Sequence, residues 1–476
     1  MKSPLATRMG RIVVAVISGA LFFFVFGLNP WWPAAWLAPI PLLLAAFYAD
    51  WVEAQMLAWL AAAIGLSSLV TYYWKTTGAV AAPVLIGLQI LLWGFLVTRT
   101  RAVVRASASW YSIFVFPSML AGVDTLVAHL SPHGTAGSLA FGQMDFLPVV
   151  QIASVLGAPA IVFLVGLYAS ALAVACYRGR QLDRPWLGYG LAAAILLSAV
   201  GWGAYRLRRP PVYTSVPVGV ASVDDYAGPG APPGRADAVW GAYIQAVQKL
   251  ASQGARIVVL PETILVLSAD DVSARRSQMA SLARDTHIFL VLGVQLNEAN
   301  HKRNVAWVFN PLGGLIAHYD KQHMVPHLES DLDPGHENVQ VLIENEIYGL
   351  VICRDMYFTP LGRSYSRRGV AALLDPSGDF NVDGWWASRV AALRGVEGGY
   401  SIVRAGRRSL LAVSDPYGHF VGQRRSAFLP GATLLAPLPL GPAKPTLYAR
   451  FGDVFGWLCV AAAVLLNVLP LFKHAG

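Results

Sequence analysis

The sequence predicts a membrane-embedded bundle of about eight helices that carries a soluble α/β domain. Three observations predict it. Of 476 residues, 55% are hydrophobic and only 13% charged, with a mean hydropathy of +0.50, which is too apolar for an ordinary soluble protein. The excess is uneven: residues 12–205 are nearly free of charge outside short clusters, whereas 206–452 have a globular composition. In that second half, apolar runs of period two interleave with runs of helical period, the pattern of a mixed α/β layer structure. The length allows two or three domains, placed at 1–209 (seven membrane helices), 210–445 (the α/β domain) and 446–476 (a last span and a short tail).

The first apolar run, 12–28, follows Lys2, Arg8 and Arg11. That is also the look of a signal peptide, but further spans follow at once, so it reads as an uncleaved first helix. The others are 32–48, 54–72, 80–98, 110–130, 149–177, 186–205 and, after the α/β insertion, 454–471. Each is near or above the ~20 residues that cross the hydrocarbon core. Arg99, Arg101 and Arg105 follow the fourth span, Arg178, Arg180 and Arg184 the sixth, and Lys473 the eighth. All fall on the side of the N-terminus, which the positive-inside rule makes cytoplasmic. Arg206, Arg208 and Arg209 count against this, but they lead into a long domain, where the rule is weak. The α/β domain is therefore expected outside the cytoplasm.

The formal charge of +9 fits arginines at membrane edges and attraction to anionic lipid heads. No basic run with interleaved aromatics points to nucleic acid. Trp31, Trp32, Trp36, Trp51, Trp74 and Trp110 read as an interfacial belt. Asp124, inside the fifth span, either faces a cavity or partner or lies solvated near the interface. The glycine- and aromatic-rich loop 131–148 is either a connector or a surface segment beside an active site. The three cysteines, Cys176, Cys353 and Cys459, are too far apart for a metal-ligand spacing or a disulfide framework, and Cys176 and Cys459 read as packing residues.

In the second half, 216–220 reads as a strand in which Pro217 marks a start or an edge. A loop at 228–234, a helix at 236–253, a strand at 256–260, a helix at 272–284 and a strand at 287–294 follow. Two strands, 304–310 and 315–319, flank a Pro-Leu-Gly-Gly turn, and 339–343 with 348–352 make a second pair. Then come a helix at 361–368, a strand at 370–374, a helix at 386–395, strands at 401–404 and 410–413, and a turn at 415–418.

Three strand ends look alike. The strand 256–260 stops just before Glu262, 315–319 just before Lys321, and 348–352 at Cys353. If these strands share a sheet edge, a carboxylate, an ammonium and a thiol meet there. That set suffices for acyl transfer: Glu262 takes the thiol proton, Lys321 stabilises thiolate and oxyanion, and a backbone N–H just after Cys353 completes the oxyanion hole. Singly each is weak, since a free cysteine is most often a small core residue; the ordered set is a stronger signal.

That set resembles the nitrilase (carbon–nitrogen hydrolase) superfamily over about residues 212–440, on the motifs VVLPETIL, HYDKQHMVPHLES and GLVICRDMYF. The resemblance implies an αββα sandwich with a Glu-Lys-Cys triad. With seven spans before the domain and one after it, the whole chain looks like the apolipoprotein N-acyltransferase family, whose nitrilase-like domain lies on the periplasmic face of the inner membrane. The resemblance further implies Glu329 as a second functional glutamate; Arg354, Asp355 and Glu397 are candidate site-support residues, and no cofactor or metal is expected. It implies a phospholipid acyl donor, a diacylated lipoprotein acceptor and a monomer in the membrane. Cys353 would take an acyl chain as a thioester and pass it to the N-terminal amine of a diacylglyceryl-cysteine. The run 392–397 followed by Arg404, and FGQMDFLPVVQIASVLG, also resemble family patterns.

The sequence departs from the family at Cys353-Arg354-Asp355, usually Cys-Tyr-Glu, and at 325–329, 377–385 and 222–225. The triad is kept while the substrate-facing loops differ. A membrane-tethered amidase that hydrolyses a carbon–nitrogen bond is the alternative reading, and a scaffold with a degenerate site a third. His323, His327 and His336 read as solvated loop residues rather than metal ligands. Asp355 either orients Lys321 or caps the next helix. Glu397 and Arg404 are either site residues or an internal ion pair. Arg363, Arg367 and Arg368 meet lipid heads or form a solvated face.

Overall fold

A computed structural model describes residues 4–208, 214–225, 234–298 and 301–472. The chain divides into two compact units, Met1–Arg208 with Phe451–Gly476, and Arg209–Arg450.

The first unit is a helical membrane bundle. Among the described residues, Arg8–Phe26, Trp51–Ala106, Trp110–Leu130, Ala158–Gln181 and Pro185–Arg208 are long and apolar enough to cross a membrane, and Trp32–Tyr48, Leu147–Leu156 and Val454–Val468 are shorter apolar segments. The 56 residues of Trp51–Ala106 are far longer than one crossing needs. They break at the 3-10 turn Ser67–Leu69 and again at Gly78. The chain folds back, so that Gly94 lies against Gln55 and Trp59. This one element holds the expected spans 54–72 and 80–98. The expected continuous span 149–177 is instead broken: Gly157 takes φ 79°, ψ 177°, and the long helix begins only at Ala158, with Pro159 in its first turn. The span 32–48 likewise is two short helices, Trp32–Leu37 and Pro39–Tyr48. Val80, Leu197 and Leu465 point outward, 83%, 73% and 62% exposed, a surface that only lipid covers favourably.

Trp32 and Trp36 pack on the loop 131–148. Trp32 stacks on Phe146 at 4.5 Å, and Trp36 donates from Nε1 to Gln143 Oε1 at 2.7 Å, so both pin the loop 131–148. Asp124 accepts from Ser138 Oγ of that loop at 3.1 Å. Cys459 is buried, but Cys176 is exposed on its helix rather than packed.

The second unit is an αββα sandwich. Its strands in order are β1 (Thr214–Ser222), β2 (Ile257–Val259), β3 (Leu265–Ser268), β4 (Phe289–Glu298), β5 (His301–Phe309), β6 (Leu315–Asp320), β7 (Gln340–Ile343), β8 (Glu346–Leu350), β9 (Ala372–Gly378), β10 (Ser401–Arg407), β11 (Leu410–Ser414), β12 (Phe420–Arg425) and β13 (Ala432–Leu440). One sheet runs β13-β1-β2-β4-β5-β6, with β3 added beside β4, and the other runs β12-β11-β10-β9-β8-β7. Strand alternation builds both layers of core. In β5, Val305, Trp307 and Phe309 face the helices Arg235–Ser252 and Ala269–Thr286, while Ala306 and Val308 face the second sheet. Ile257, Val259, Tyr348, Leu350, Leu374 and Val403 share that inner layer. The helices Thr359–Arg367 and Gly384–Gly398 cover the far side of the second sheet.

Pro217 neither starts nor edges its strand. β1 lies between β13 and β2, and Pro217 pairs with Pro437. An antiparallel ladder alternates pairs that exchange two N–H···O bonds with pairs that exchange none; two facing prolines fit the second kind. β1, β2 and β4 run parallel in one sheet, and β8, β9 and β10 in the other. Glu262 and Cys353 therefore leave strands at their carboxyl ends, where open α/β sheets place ligand sites.

Candidate active site

Glu262, Lys321 and Glu329 meet in one buried network. Lys321 Nζ donates to Glu262 Oε1 at 2.7 Å and to both oxygens of Glu329 at 2.8 Å. All three ammonium hydrogens are thereby engaged. Asn304 Nδ2 donates to Glu262 Oε1 at 2.6 Å and to Glu329 Oε1 at 3.1 Å. Glu329 also accepts from the Val325 amide at 2.7 Å, which closes its loop on itself. Lys321 is 1% and Glu262 6% exposed, so these charges interact in a poor dielectric.

Cys353 follows β8 with φ +47°, a left-handed backbone rare outside glycine. Its Sγ donates to the Gly378 carbonyl at 3.2 Å. Its amide donates to Asp375 Oδ1 at 2.8 Å, so that N–H is committed to the protein. Burial and then the Glu262 charge push the thiol well above its ordinary value, against the pull of Lys321. Burial also raises Glu262, with Lys321 opposing. Burial disfavours the Lys321 ammonium, but Glu262, Cys353 and Glu329 outweigh it and hold the proton above the usual lysine range. The resting thiol is thus protonated beside an ammonium–carboxylate pair.

Arg354 and Asp355 lie in the 3-10 turn Cys353–Tyr357. Arg354 sits over the Phe358 ring at 5.9 Å. Asp355 both holds the Lys321 segment and caps its own turn. It accepts from Tyr319 Oη at 2.6 Å, from the amides of Gln322 and His323 at 3.2 and 2.9 Å, and from the Ile352 amide at 3.0 Å. It thus holds the backbone just after Lys321 and the Tyr319 side chain before it. Glu397 does not pair with Arg404. It pairs with Arg394 at 2.5 Å and lines a small pocket with Thr359, Arg363 and Tyr400. Arg404 instead meets Asp375 at 3.3 Å and Asp379 at 2.9 Å. His323 stacks on Phe358 at 3.7 Å and meets Asp355 at 2.9 Å. Among the described residues no group of histidine, cysteine and acidic side chains is arranged to hold a metal. Arg363 lies over Tyr448 at 5.7 Å, and Arg368 reaches the Asn338 carbonyl at 3.4 Å.

Comparison with known proteins agrees on both units. Residues 18–171 match the profile of the apolipoprotein N-acyltransferase N-terminal domain, and 226–423 that of carbon-nitrogen hydrolase. The apolipoprotein N-acyltransferase of Geobacter metallireducens is 26% identical over 97% of this chain and 96% of its own. The chain belongs to the apolipoprotein N-acyltransferase family. The Gloeobacter violaceus member of that family is 25% identical over 95% of this chain and 93% of its own. A hydrolase of Schizosaccharomyces pombe is 31% identical over 29% of this chain and 48% of its own. Among solved structures, the amidase of Nesterenkonia sp. AN1 covers 48% of this chain and 92% of its own at 21% identity, TM-score 0.42.

Within this family member, the residues that sequence reasoning missed are polar ones inside strands: Asn304 in β5 and Asp375 in β9, both buried. Arg404 was noticed, but with the wrong partner. An asparagine or aspartate in an otherwise apolar run was the available signal.

Proposed function

We propose that this membrane N-acyltransferase moves an acyl chain from a phospholipid, through a Cys353 thioester, to the N-terminal amine of a diacylglyceryl-cysteine lipoprotein. The observation that carries the reading is Lys321 held between Glu262 and Glu329, with the Glu262 and Lys321 charges acting on Cys353. In the first half-reaction the Cys353 proton passes to Glu262 as Sγ attacks the ester carbonyl. The oxyanion takes N–H donation from the backbone just after Cys353 and is stabilised by the Lys321 charge beside it. The carbon–oxygen bond breaks, and the lysophospholipid leaves with the proton from Glu262. In the second, the lipoprotein amine attacks the thioester, its proton goes to Glu262, the amide forms, and the thiolate leaves and is reprotonated.

Glu329 holds Lys321 in place, and Arg354 and Asp355 shape the segment beside the nucleophile. The site faces the outside of a bacterial inner membrane, since the basic loops mark the other side as cytoplasmic. Two lipid-tailed substrates fit a catalytic domain tethered to a helical bundle. The test is mass spectrometry of a diacylated lipopeptide incubated with phospholipid and the purified protein. Gain of one amide-linked acyl chain is expected. Ammonia released from small amides, with no acyl gain, would establish the amidase alternative instead.

A further inference from the structure

The Cys353 elbow rests on a carboxylate rather than on a backbone carbonyl. Asp375 Oδ1 accepts the Cys353 amide at 2.8 Å and the Ser377 hydroxyl at 2.8 Å. Its other oxygen faces Arg404 Nε at 3.3 Å, directly across the parallel β9–β10 register, where Arg404 is the partner of Asp375. Arg404 forks onward, to Asp379 Oδ1 at 2.9 Å and to Ser409 Oγ at 3.1 Å, and Ser409 donates to Asp379. Asp375 is 0% and Arg404 2% exposed. The same strand end, through the Gly378 carbonyl, receives the thiol at 3.2 Å. One segment, 375–379, thus grips the nucleophile at both its amide and its sulfur.

We infer that Asp375, braced by Arg404, is a positioning residue for the nucleophile: it fixes the left-handed backbone of Cys353 and so aims Sγ between Glu262 and the reacting carbonyl. A purely structural ion pair is the weaker explanation. Arg404 already has Asp379 and Ser409, and a second buried carboxylate on one guanidinium costs more than it returns unless it does something else. A charged acceptor makes a hydrogen bond about twice as strong as a neutral one, which suits an amide that must be held against a strained φ. Burial pushes the Asp375 carboxyl up to about 7 although Arg404 opposes it, so this acceptor is kept at a cost to the fold.

The inference rests on the acyl-transfer reading for its substrate but not for its readout. The experiment is single-turnover acylation of the full-length protein by phosphatidylethanolamine in detergent micelles, followed by intact mass. Misfolding lowers the amplitude, whereas misaiming lowers the rate constant at full amplitude. Asp375→Ala is expected to slow acylation about tenfold or more at unchanged amplitude, and Asp375→Asn, which keeps an oxygen acceptor for the amide, to recover most of that loss. Where the alanine variant gives no monodisperse protein, Arg404→Lys carries the test, since it keeps the charge and loses the fork; a slower rate at full amplitude is again expected. An unchanged rate constant in the variant carrying the test, or Asp375→Asn as slow as Asp375→Ala, overturns the inference. If the wild type takes no acyl chain from phospholipid, the acyl-transfer reading fails. Iodoacetamide alkylation of Cys353, located by peptide mass, then reports the same ordering of rates, and equal alkylation across the variants overturns the positioning role.

Discussion

Asn304 joins two acids at the scale of one side chain: a single amide donates to Glu262 and to Glu329, two carboxylates that share one lysine. Removing it leaves Glu262 without a neutral donor and Glu329 with the Val325 amide. Asn304→Ala is therefore expected to lower the acylation rate by about one to two orders of magnitude, the equivalent of losing a hydrogen bond to buried charge. Single-turnover kinetics checks it, and a rate within about twofold of wild type would remove Asn304 from the mechanism. Cys353→Ala should form no acyl-enzyme and transfer no chain; full turnover by that variant would refute the nucleophile assignment. Glu262, Lys321 and Cys353 stood out in the sequence because each comes just past a strand, where the apolar period stops and a reactive type follows, and Glu329 came only from the family resemblance. Asn304 and Asp375 stand inside strands. Whether a polar residue there meets solvent or a buried partner is decided by the strand beside it, and that pairing is long-range information.

The strands themselves are tuned to the site. Gly293, within β4, lies so close to the Glu262 loop that a Cβ there would fall 2.6 Å from Glu262 Cα, and its amide donates to the Pro261 carbonyl at 3.0 Å. Gly293→Ala must push the Glu262 turn outward. The expected result is a larger loss in acylation rate than in thermal stability, and the reverse ranking would show that the loop relaxes freely. In the helical unit, Gly157 holds a φ/ψ combination open almost only to glycine. Gly157→Ala should cost about 1–3 kcal/mol, read as a lower unfolding midpoint in detergent. The same residue explains a misreading: an apolar run from 149 to 177 has the hydropathy of one span, and only Gly157 and Pro159 mark the break. β3, β12 and β13 were not foreseen either. β3 has four residues, β12 ends in Gln-Arg-Arg, and β13 holds two prolines, so each lacks the sustained alternation that identifies a strand. The hairpins β5–β6 and β7–β8 were legible because turn chemistry and period agree.

At the scale of the whole molecule, the price of the site is a pH-dependent fold. Burial raises Asp375 and Asp383 from 3.8 to about 7 each, Asp383 with help from Asp379. The native state then binds these protons more tightly than the unfolded chain does. Between pH 4 and 7 the folded protein carries more of them, so the stability they contribute falls as pH rises and is lost above about 7. At 1.36 kcal/mol per unit, the shift of Asp375 alone corresponds to on the order of 4 kcal/mol across that window. Asp375→Asn cannot titrate, so its unfolding midpoint should decline less than the wild type's between pH 5 and pH 8. Intrinsic tryptophan fluorescence of both proteins in one detergent measures this, and parallel curves would mean that Asp375 is ionised at its ordinary value. A carboxylate whose burial opposes its ionisation, yet which lies against the Cys353 amide, is what a site built for chemistry rather than for stability should contain.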